Sequence, residues 1–244
     1  MIFEGEYLYN TRLKGKEFYF DWTLEYEGVY LYNKKWEGKG YDEKGNIIYE
    51  LTNGNGKIRE YYKRWLIFEG EYLNGKRNGK GKEYNDDGNV LFEGEYLNGK
   101  RNGEGKEYNY NGQLLFEGEY KNGKKWNGKI KEYYFSGLVE FEGVYLNNKK
   151  WEGKGYDEDG NLIYELINGN GKVTENDIFI FEGVYLNGEK NGKGKEHDRN
   201  GILRFEGDYL NGKRNGKGKE YNSNGILLYE GEFLKGAKID SFLK

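Results

Sequence analysis

The stretch FEGEYLNGKRNGKGKEY, residues 68–84, decides the fold, because close copies of it recur along nearly the whole chain. Its opening pattern is aromatic-Glu-Gly-x-aromatic. Copies of this pattern start at Phe3, Tyr26, Phe68, Phe92, Phe116, Phe141, Phe181, Phe205 and Tyr229. Two copies that lose the glycine start at Tyr49 and Tyr164, and successive starts lie 17 to 25 residues apart. Such regular spacing is typical of a repeat architecture.

Within one repeat, residue types alternate as they would along two strands. Side chains of a strand point alternately to its two faces, so Phe68 and Tyr72 share a face with Gly70, and the glutamates between them share the opposite face. Glycine and lysine alternate in the same way in residues 79–82. We therefore predict a hairpin in which aromatic rings lie over glycines and glutamates lie opposite lysines.

The connections between strands carry turn signals. Asn-Gly occurs seventeen times and is a strong hairpin signal, because both residues tolerate positive φ. Asp87-Gly88 and Asn111-Gly112 are expected to close the other end of their repeats. No window has a sustained 3.6-residue apolar period, so helices are not expected beyond a short terminal turn. The sequence predicts an all-β fold in which each repeat is a β-hairpin.

The composition excludes several classes of protein. Hydrophobic residues make up 35% and charged residues 33% of the 244-residue chain, which alone would suggest disorder. Aromatic residues reach 18% and the formal net charge is only -3, so rings can supply the buried area and the chain is expected to fold. The absence of cysteine excludes disulfides and thiolate zinc sites.

No residue pattern indicates catalysis. Paired glutamates such as Glu69 and Glu71 recur in equivalent surroundings, whereas acid–base catalysis needs two carboxyl groups with different pKa values. His197, the single histidine, takes the place that Tyr84 has in another repeat, which indicates a strand substitution. Gly-Lys-Gly-Lys lacks the spacing and the following helix of a phosphate loop. We predict that the chain is not an enzyme and has no catalytic residue, cofactor or metal site.

A longer period overlies the short one. Residues 141–156 nearly copy residues 26–41, an offset of 115. We predict one continuous, elongated array of about eleven hairpins over residues 1–244, with an internal duplication of roughly 26–140 and 141–235. Residues 236–244 abandon the pattern and are expected to cap the last hairpin. The first strand would leave an open edge, where a homodimer could form by edge pairing.

The repeats resemble the MORN repeat (membrane occupation and recognition nexus). Residues 92–105, FEGEYLNGKRNGEG, match the family pattern closely, and residues 122–134 resemble its bacterial branch, of which some members are labelled antitoxin-like. The resemblance implies a row of hairpins in one long, single-layer twisted sheet, curved so that aromatic residues line a groove. It also implies a role in scaffolding or partner binding without catalysis.

The aromatic groove supplies the first candidate site. An extended or helical segment of a partner protein could lie along it, with its apolar side chains between successive rings. Tyr72, Tyr96, Tyr120 and Tyr209 are the residues expected to contact it. The alternative, that these rings are used wholly in packing, stays open.

A second candidate lies where the period shortens. Tyr61, Tyr62, Arg64 and Trp65 replace the usual turn and mix basic with aromatic residues, which could contact phosphates or bases. A packing role is favoured, since an isolated cluster on an acidic chain lacks an extended basic track, and no nucleic acid is expected. Trp36, Trp126 and Trp151 fall where we expect hairpin loops and could bind a partner or cover a neighbouring repeat.

The leading functional hypothesis is a non-catalytic scaffold that binds a protein partner. A peripheral membrane module ranks lower, because Lys and Glu alternate and offer no basic patch for anionic lipid. An antitoxin-like inhibitor is the third hypothesis. The sequence enters the repeat directly at Met1, without the basic and apolar regions of a secretory signal, so a cytoplasmic location is expected.

Overall fold

The computed structural model describes residues 2–63, 65–176 and 179–239. They divide into two compact units, Met1–Lys125 and Trp126–Lys244. None of the described residues is helical, and 22 strands account for most of them. The predicted all-β class is therefore confirmed. Among the described residues there is no helix long and apolar enough to cross a membrane.

The strands follow one another along the chain as hairpin arms. The first eleven are β1 (Ile2–Leu8), β2 (Thr11–Phe18), β3 (Leu24–Leu31), β4 (Lys34–Tyr41), β5 (Ile47–Leu51), β6 (Gly56–Tyr62), β7 (Trp65–Leu73), β8 (Lys76–Tyr84), β9 (Val90–Leu97), β10 (Lys100–Tyr108) and β11 (Leu114–Lys121). The next eleven are β12 (Lys124–Tyr133), β13 (Val139–Leu146), β14 (Lys149–Tyr156), β15 (Leu162–Leu166), β16 (Gly171–Asn176), β17 (Ile180–Leu186), β18 (Glu189–His197), β19 (Leu203–Leu210), β20 (Lys213–Tyr221), β21 (Leu227–Leu234) and β22 (Ala237–Lys238).

Each unit contains strands of two antiparallel sheets. In the first unit β1 to β5 form one sheet and β6 to β11 belong to another, and in the second unit the division falls between β15 and β16. The predicted single sheet is therefore interrupted once within each unit. At the first interruption the turn between β5 and β6 bonds to both neighbouring repeats, since the Gly54 N–H donates to the Trp36 carbonyl and the Gly54 carbonyl accepts from the Gly75 N–H, at 2.6 and 2.9 Å. The single-array organisation over residues 1–244 stays a prediction.

The register confirms the predicted division of residue types. In the hairpin of β7 and β8, Glu69 lies opposite Lys82 and Gly70 lies opposite Gly81. The next ladder repeats the scheme, with Lys82 opposite Glu93. Glutamates and lysines therefore face each other on one side of the sheet, and glycines oppose glycines under the rings on the other.

Only the first Asn-Gly of a full repeat is a hairpin turn. Asn74 and Gly75 have φ values of 53° and 68° and form the two-residue connection between β7 and β8. The second pair, Asn78-Gly79, lies inside β8 at a bulge, which corrects the interpretation of every Asn-Gly as a turn. The Asn78 side chain instead accepts a hydrogen bond from the Asn98 N–H, at 3.2 Å. It thereby ties one hairpin turn to the next repeat.

The opposite ends of the repeats close as predicted. The Gly88 N–H donates to the Asn85 carbonyl at 3.0 Å, and Gly88 has a φ of 81°. The Asn85 side-chain oxygen accepts from the N–H groups of Asp87 and Asn89, at 3.1 and 2.8 Å. This side chain holds the loop in shape, which explains why Asn or Asp begins most of these loops.

The end of the chain is described in part. Ala237 and Lys238 form β22, which pairs with Leu234 and Phe233 of β21. Residues 240–244, the greater part of the predicted cap, lie outside the described residues.

Candidate functional site

The side of the sheets that carries the repeated rings is here the aromatic face, and the side that carries the paired glutamates and lysines is the charged face. Phenylalanines at the start of the motif have an exposed fraction of 0%: Phe68, Phe92, Phe116, Phe141, Phe181 and Phe205. The ring of Phe92 rests on two glycines, because a Cβ built on Gly94 or Gly105 would lie 2.7 Å from ring atom Cζ. The ring thus occupies the space that other side chains would fill.

Cations cover these rings. The guanidinium carbon of Arg101 lies 4.1 Å from the centroid of the Phe92 ring. Arg101 pairs with Glu107 at 2.9 Å and with Glu83, and Arg77 pairs with Glu83 from the other side at 3.1 Å. Cations and glutamates therefore alternate from repeat to repeat: Glu83 lies between Arg77 and Arg101, and Glu107 lies between Arg101 and Lys125. We call this arrangement the charge ladder of the aromatic face.

The four tyrosines predicted to bind a partner lie on the aromatic face. Tyr96, Tyr120 and Tyr209 are only 4, 2 and 4% exposed, and Tyr72 is half-buried. The Tyr96 and Tyr120 hydroxyls donate to glutamates of the charge ladder at 2.9 and 2.8 Å. These rings are used in packing, the alternative that the sequence left open. Their partner-binding role stays a prediction, and it would require rings that the structure buries.

Protonation states follow from this burial. Burial raises the pKa of Tyr96, and the nearby Glu83 carboxylate raises it further, so the hydroxyl keeps its proton. Burial alone would also raise the pKa of Glu107, but Lys125 and the Tyr120 hydroxyl outweigh it and hold that pKa below its usual value. Glu107 is therefore ionised near neutral pH.

The open concave surfaces lie on the charged face, one in each unit. The first charged groove has a volume of about 860 Å³, and its charged lining residues are Lys57, Arg59, Glu69, Glu71, Lys80, Lys82, Glu93, Glu95, Glu104, Lys106 and Glu117. The second charged groove has a volume of about 940 Å³, and its charged lining residues are Lys172, Glu182, Lys193, Lys195, Glu206, Lys217, Lys219, Glu230 and Glu232. Glycines of the motif form much of the remaining lining in both. The resemblance implied a groove lined by aromatic residues, but the grooves lie on the charged face instead.

Tyrosine hydroxyls hold the glutamates of the charged face in place. The donor–acceptor pairs are Tyr84–Glu69, Tyr108–Glu93, Tyr156–Glu142 and Tyr221–Glu206, at 2.6, 3.0, 3.0 and 3.0 Å. Burial and the Glu69 carboxylate raise the pKa of Tyr84 to about 12. Hydrogen bonds from Tyr108 and Lys82 lower the pKa of Glu93. The hydroxyls thus position these four carboxylates, and Glu93 is kept ionised.

A separate cavity of about 350 Å³ lies in the first unit, and we call it the aromatic cavity. Its lining residues are Phe18, Tyr19, Phe20, Asp21, Glu25, Tyr61, Tyr62 and Lys63. The structure therefore brings two predicted site residues, Tyr61 and Tyr62, together with aromatic residues that lie some forty positions earlier. Trp65 does not line this cavity; it is half-exposed in β7, opposite Tyr62 in the ladder. Arg64 lies outside the described residues.

Trp36, Trp151 and His197 all lie within strands. Trp36 is in β4 and Trp151 in β14, which corrects their expected position in hairpin loops. Each ring covers a neighbouring turn, because a Cβ on Gly54 or Gly169 would lie 2.8 or 2.9 Å from it. His197 ends β18 opposite Ile180, as expected for a strand substitution.

Sequence reasoning missed two groups of residues. The arginines of the charge ladder recur at one position of the repeat, as Arg77, Arg101 and Arg214, and this recurrence was the available signal. The cavity residues at the end of β2 and directly after it were also missed. Their signal is the run FYFDW at 18–22, which stands where other repeats have an Asn/Asp-Gly turn.

Comparison with known proteins agrees with this geometry. The family model of the MORN repeat matches residues 68–90, 92–114, 116–126, 181–202 and 205–226. A comparison with curated proteins gives no match. Proteins of the matched family are generally non-catalytic. The matched segments lie on hairpin strands of both units, and the chain belongs to the family of MORN-repeat proteins.

Proposed function

We propose that this chain is a non-catalytic binding module whose charged grooves take an extended, polar segment of a partner protein. One contrast carries the proposal. The aromatic face is closed by its own packing, whereas grooves of about 860 and 940 Å³ open on the charged face of the two units. A repeated concave surface is how repeat proteins commonly engage extended ligands.

The charge balance of the grooves defines the kind of segment. The first charged groove is lined by five cationic side chains and six glutamates, and the second by five lysines and four glutamates. Neither groove has the excess of cations that a nucleic acid or an anionic membrane surface needs. A segment with side chains of both signs matches this pattern, because each of its charges would meet an opposite charge.

The ion pairs in the grooves can exchange partners. Lys106 and Glu117 are 3.0 Å apart, and nearly half of each side chain is exposed. Lys82 and Glu93 form a similar pair at 3.2 Å. Exposed ion pairs contribute little to stability, so a segment can break them at low cost and form its own.

The non-catalytic part of the proposal rests on the protonation of carboxylates of the charged face, of which Glu93 lines the first charged groove. A general acid needs a raised pKa. Hydrogen bonds from Tyr108 and Lys82 lower the pKa of Glu93, and hydrogen bonds from Lys131 and Tyr156 lower that of Glu142. Equivalent carboxylates on different strands are thus kept in the same ionised state, which is the condition for recognition of a cationic group.

The test uses a display library of random short peptides selected on the full chain, followed by fluorescence anisotropy of the selected peptides. The double variant Lys106→Glu/Glu117→Lys keeps the ion pair but inverts the local charge pattern. We expect peptides of mixed charge to bind it at least roughly ten-fold more weakly, since like charges would then meet.

A matched control swaps an ion pair outside both grooves. Lys149 and Glu189 are 2.9 Å apart, and the variant Lys149→Glu/Glu189→Lys should leave the affinity unchanged. Selected peptides that bind the groove variant as tightly as the parent chain would refute the proposal. So would a selection of purely apolar peptides.

A further inference from the structure

The aromatic cavity lies apart from the charged grooves and has a different chemistry. Its walls come from two places in the first unit, the end of β2 with the residues that follow it and the end of β6. Five of its eight lining residues are aromatic, and two of the other three are carboxylates. Its volume of about 350 Å³ falls at the small end of the range for ligand pockets.

The rings are arranged as adjacent walls. The centroids of Tyr19 and Tyr61 are 6.3 Å apart and their planes are inclined at 85°. Tyr19 is buried, while Phe20 and Tyr62 are largely exposed, so the cavity has a covered floor and an accessible rim. Aromatic faces carry partial negative charge and attract cations that lie within about 6 Å of the ring centroid.

A buried carboxyl group, that of Glu25, also lines the cavity. Glu25 is 5% exposed, and its Oε1 accepts a hydrogen bond from Lys35 at 2.9 Å. Its Oε2 is buried and has no hydrogen-bond partner among the residues that the structure describes. A buried acceptor without a donor is costly, so a ligand that brings an N–H group to this oxygen gains a strong, charge-assisted bond.

A lysine of the chain itself already lies over one of the aromatic rings at the rim of the cavity. The Lys63 ammonium lies 5.5 Å from the centroid of the Tyr62 ring. Lys63 also lines the cavity, so it stands as a competitor for any ligand cation.

We propose that the aromatic cavity binds an alkylammonium group that retains at least one N–H. The rings of Tyr19, Tyr61 and Tyr62 surround its alkyl groups, and its N–H donates to Glu25. Such a group is presented by a lysine side chain of a partner protein or by a small free amine. The proposal does not depend on the charged grooves.

The second unit offers a natural comparison. Residues 133–141 match residues 18–26 at the offset of 115, with Phe135 in the place of Phe20 and Glu140 in that of Glu25. At the same offset, asparagine and aspartate stand in the places of Tyr61 and Tyr62. Phe135 is fully exposed. The second unit therefore has counterparts of the aromatic residues around the end of β2, but it lacks counterparts of the two tyrosines at the end of β6.

The test titrates the full chain with four probes, followed by NMR and calorimetry. The probes are trimethylammonium, tetramethylammonium, neutral tert-butanol, and lysine whose α-amino and α-carboxyl groups are blocked while its side-chain ammonium is free. Trimethylammonium should bind more tightly than tetramethylammonium, which has no N–H, and far more tightly than tert-butanol. Tighter binding of blocked lysine than of trimethylammonium identifies a protein side chain as the source, and the reverse identifies a free amine.

Substitutions test whether trimethylammonium binds in the aromatic cavity. Tyr62→Leu should weaken trimethylammonium binding roughly two- to thirty-fold, the range of one cation–π contact, without disturbing a buried residue. Glu25→Gln should remove the preference for an N–H donor, and Lys63→Met should strengthen binding. Phe135→Leu is the matched control and should change nothing.

Three results would overturn the proposal. The first is equal affinity for tert-butanol and trimethylammonium, which would make the cavity simply apolar. The second is trimethylammonium binding that Tyr62→Leu and Glu25→Gln leave unchanged. The third is no binding of trimethylammonium at millimolar concentrations.

Discussion

The aromatic and charged faces are built from alternate residues of the same strands, yet the aromatic face is closed by packing and the charged face is open. On the aromatic face Phe92 is fully buried on glycine backbone beneath Arg101. One residue along the strand, Glu93 stands in an open groove with its charge balanced by Lys82. Stability therefore resides in the rings and the charge ladder, whereas the groove pairs contribute little and are available to a partner.

The largest effect is expected from the ring itself. Phe92→Ala should lower the free energy of unfolding by about 3–5 kcal/mol, because it removes a fully buried ring and leaves a cavity. Leu97→Ala, on the same strand but exposed, should cost within about 0.5 kcal/mol. Urea denaturation followed by circular dichroism measures both. Equal costs would mean that the aromatic face is not the core.

The glycines beneath the rings should come next. A Cβ at Gly94 would lie 2.6 Å from both the Glu104 carbonyl oxygen and the Gly105 Cα, which are backbone atoms that cannot easily move. Gly94→Ala should therefore cost about 1–3 kcal/mol in the same denaturation assay. Lys82→Ala, on the charged face, should cost no more than about 1 kcal/mol. A harmless Gly94→Ala would contradict the close approach of ring and backbone.

The charge ladder predicts a dependence on pH. The folded-state pKa of Glu107 is lowered, so its contribution is complete above the ordinary carboxyl pKa near 4.3 and is lost as the pH falls through the folded value. Lys125→Met should cost about 1–2 kcal/mol at pH 7 and progressively less below pH ~4. Urea denaturation across this pH range tests it, with exposed Lys100→Met as control. A constant cost would exclude Glu107 as the partner that matters.

The smallest effect is expected from the hydroxyls of the charged face. Tyr108→Phe removes the hydrogen bond that helps lower the pKa of Glu93, so that pKa should rise toward its usual value. The loss of stability should be about 0.5–1 kcal/mol. NMR titration of the Glu93 carboxyl measures the shift. The exposed Tyr110 provides the control Tyr110→Phe, and an equal shift in that variant would show the effect to be indirect.

Local pattern was sufficient for much of the fold. Alternation along residues 68–84 predicted the strands, the pairing of glutamates with lysines and the placement of rings over glycines, because a strand's period of two fixes which side chains share a face. The bulge at Gly79 could not be predicted from the sequence, because the same Asn-Gly dipeptide makes a hairpin turn at Asn74-Gly75. What separates them is a contact between repeats, the bond from the Asn98 N–H to Asn78.

The site depended on features that no local pattern contains. Which face is concave follows from the bend of the sheet, and alternation is the same for either direction of bend. The closure of the aromatic face depends on Arg77 and Arg101 reaching glutamates that lie two strands away in the sheet. The aromatic cavity joins Tyr19 to Tyr61, and only the folded chain brings them together.

Hydroxyl-radical footprinting with mass spectrometry of the native chain tests the contrast between the faces most directly, since it reports the solvent access of each side chain. Phe92, Tyr96 and Tyr120 should be oxidised far more slowly than the exposed rings of Tyr110 and Phe135. Unfolding in urea should abolish this difference. Oxidation of the first three rings at the rate of the exposed ones in the native chain would mean that the aromatic face is open, and would contradict the assignment of recognition to the charged face.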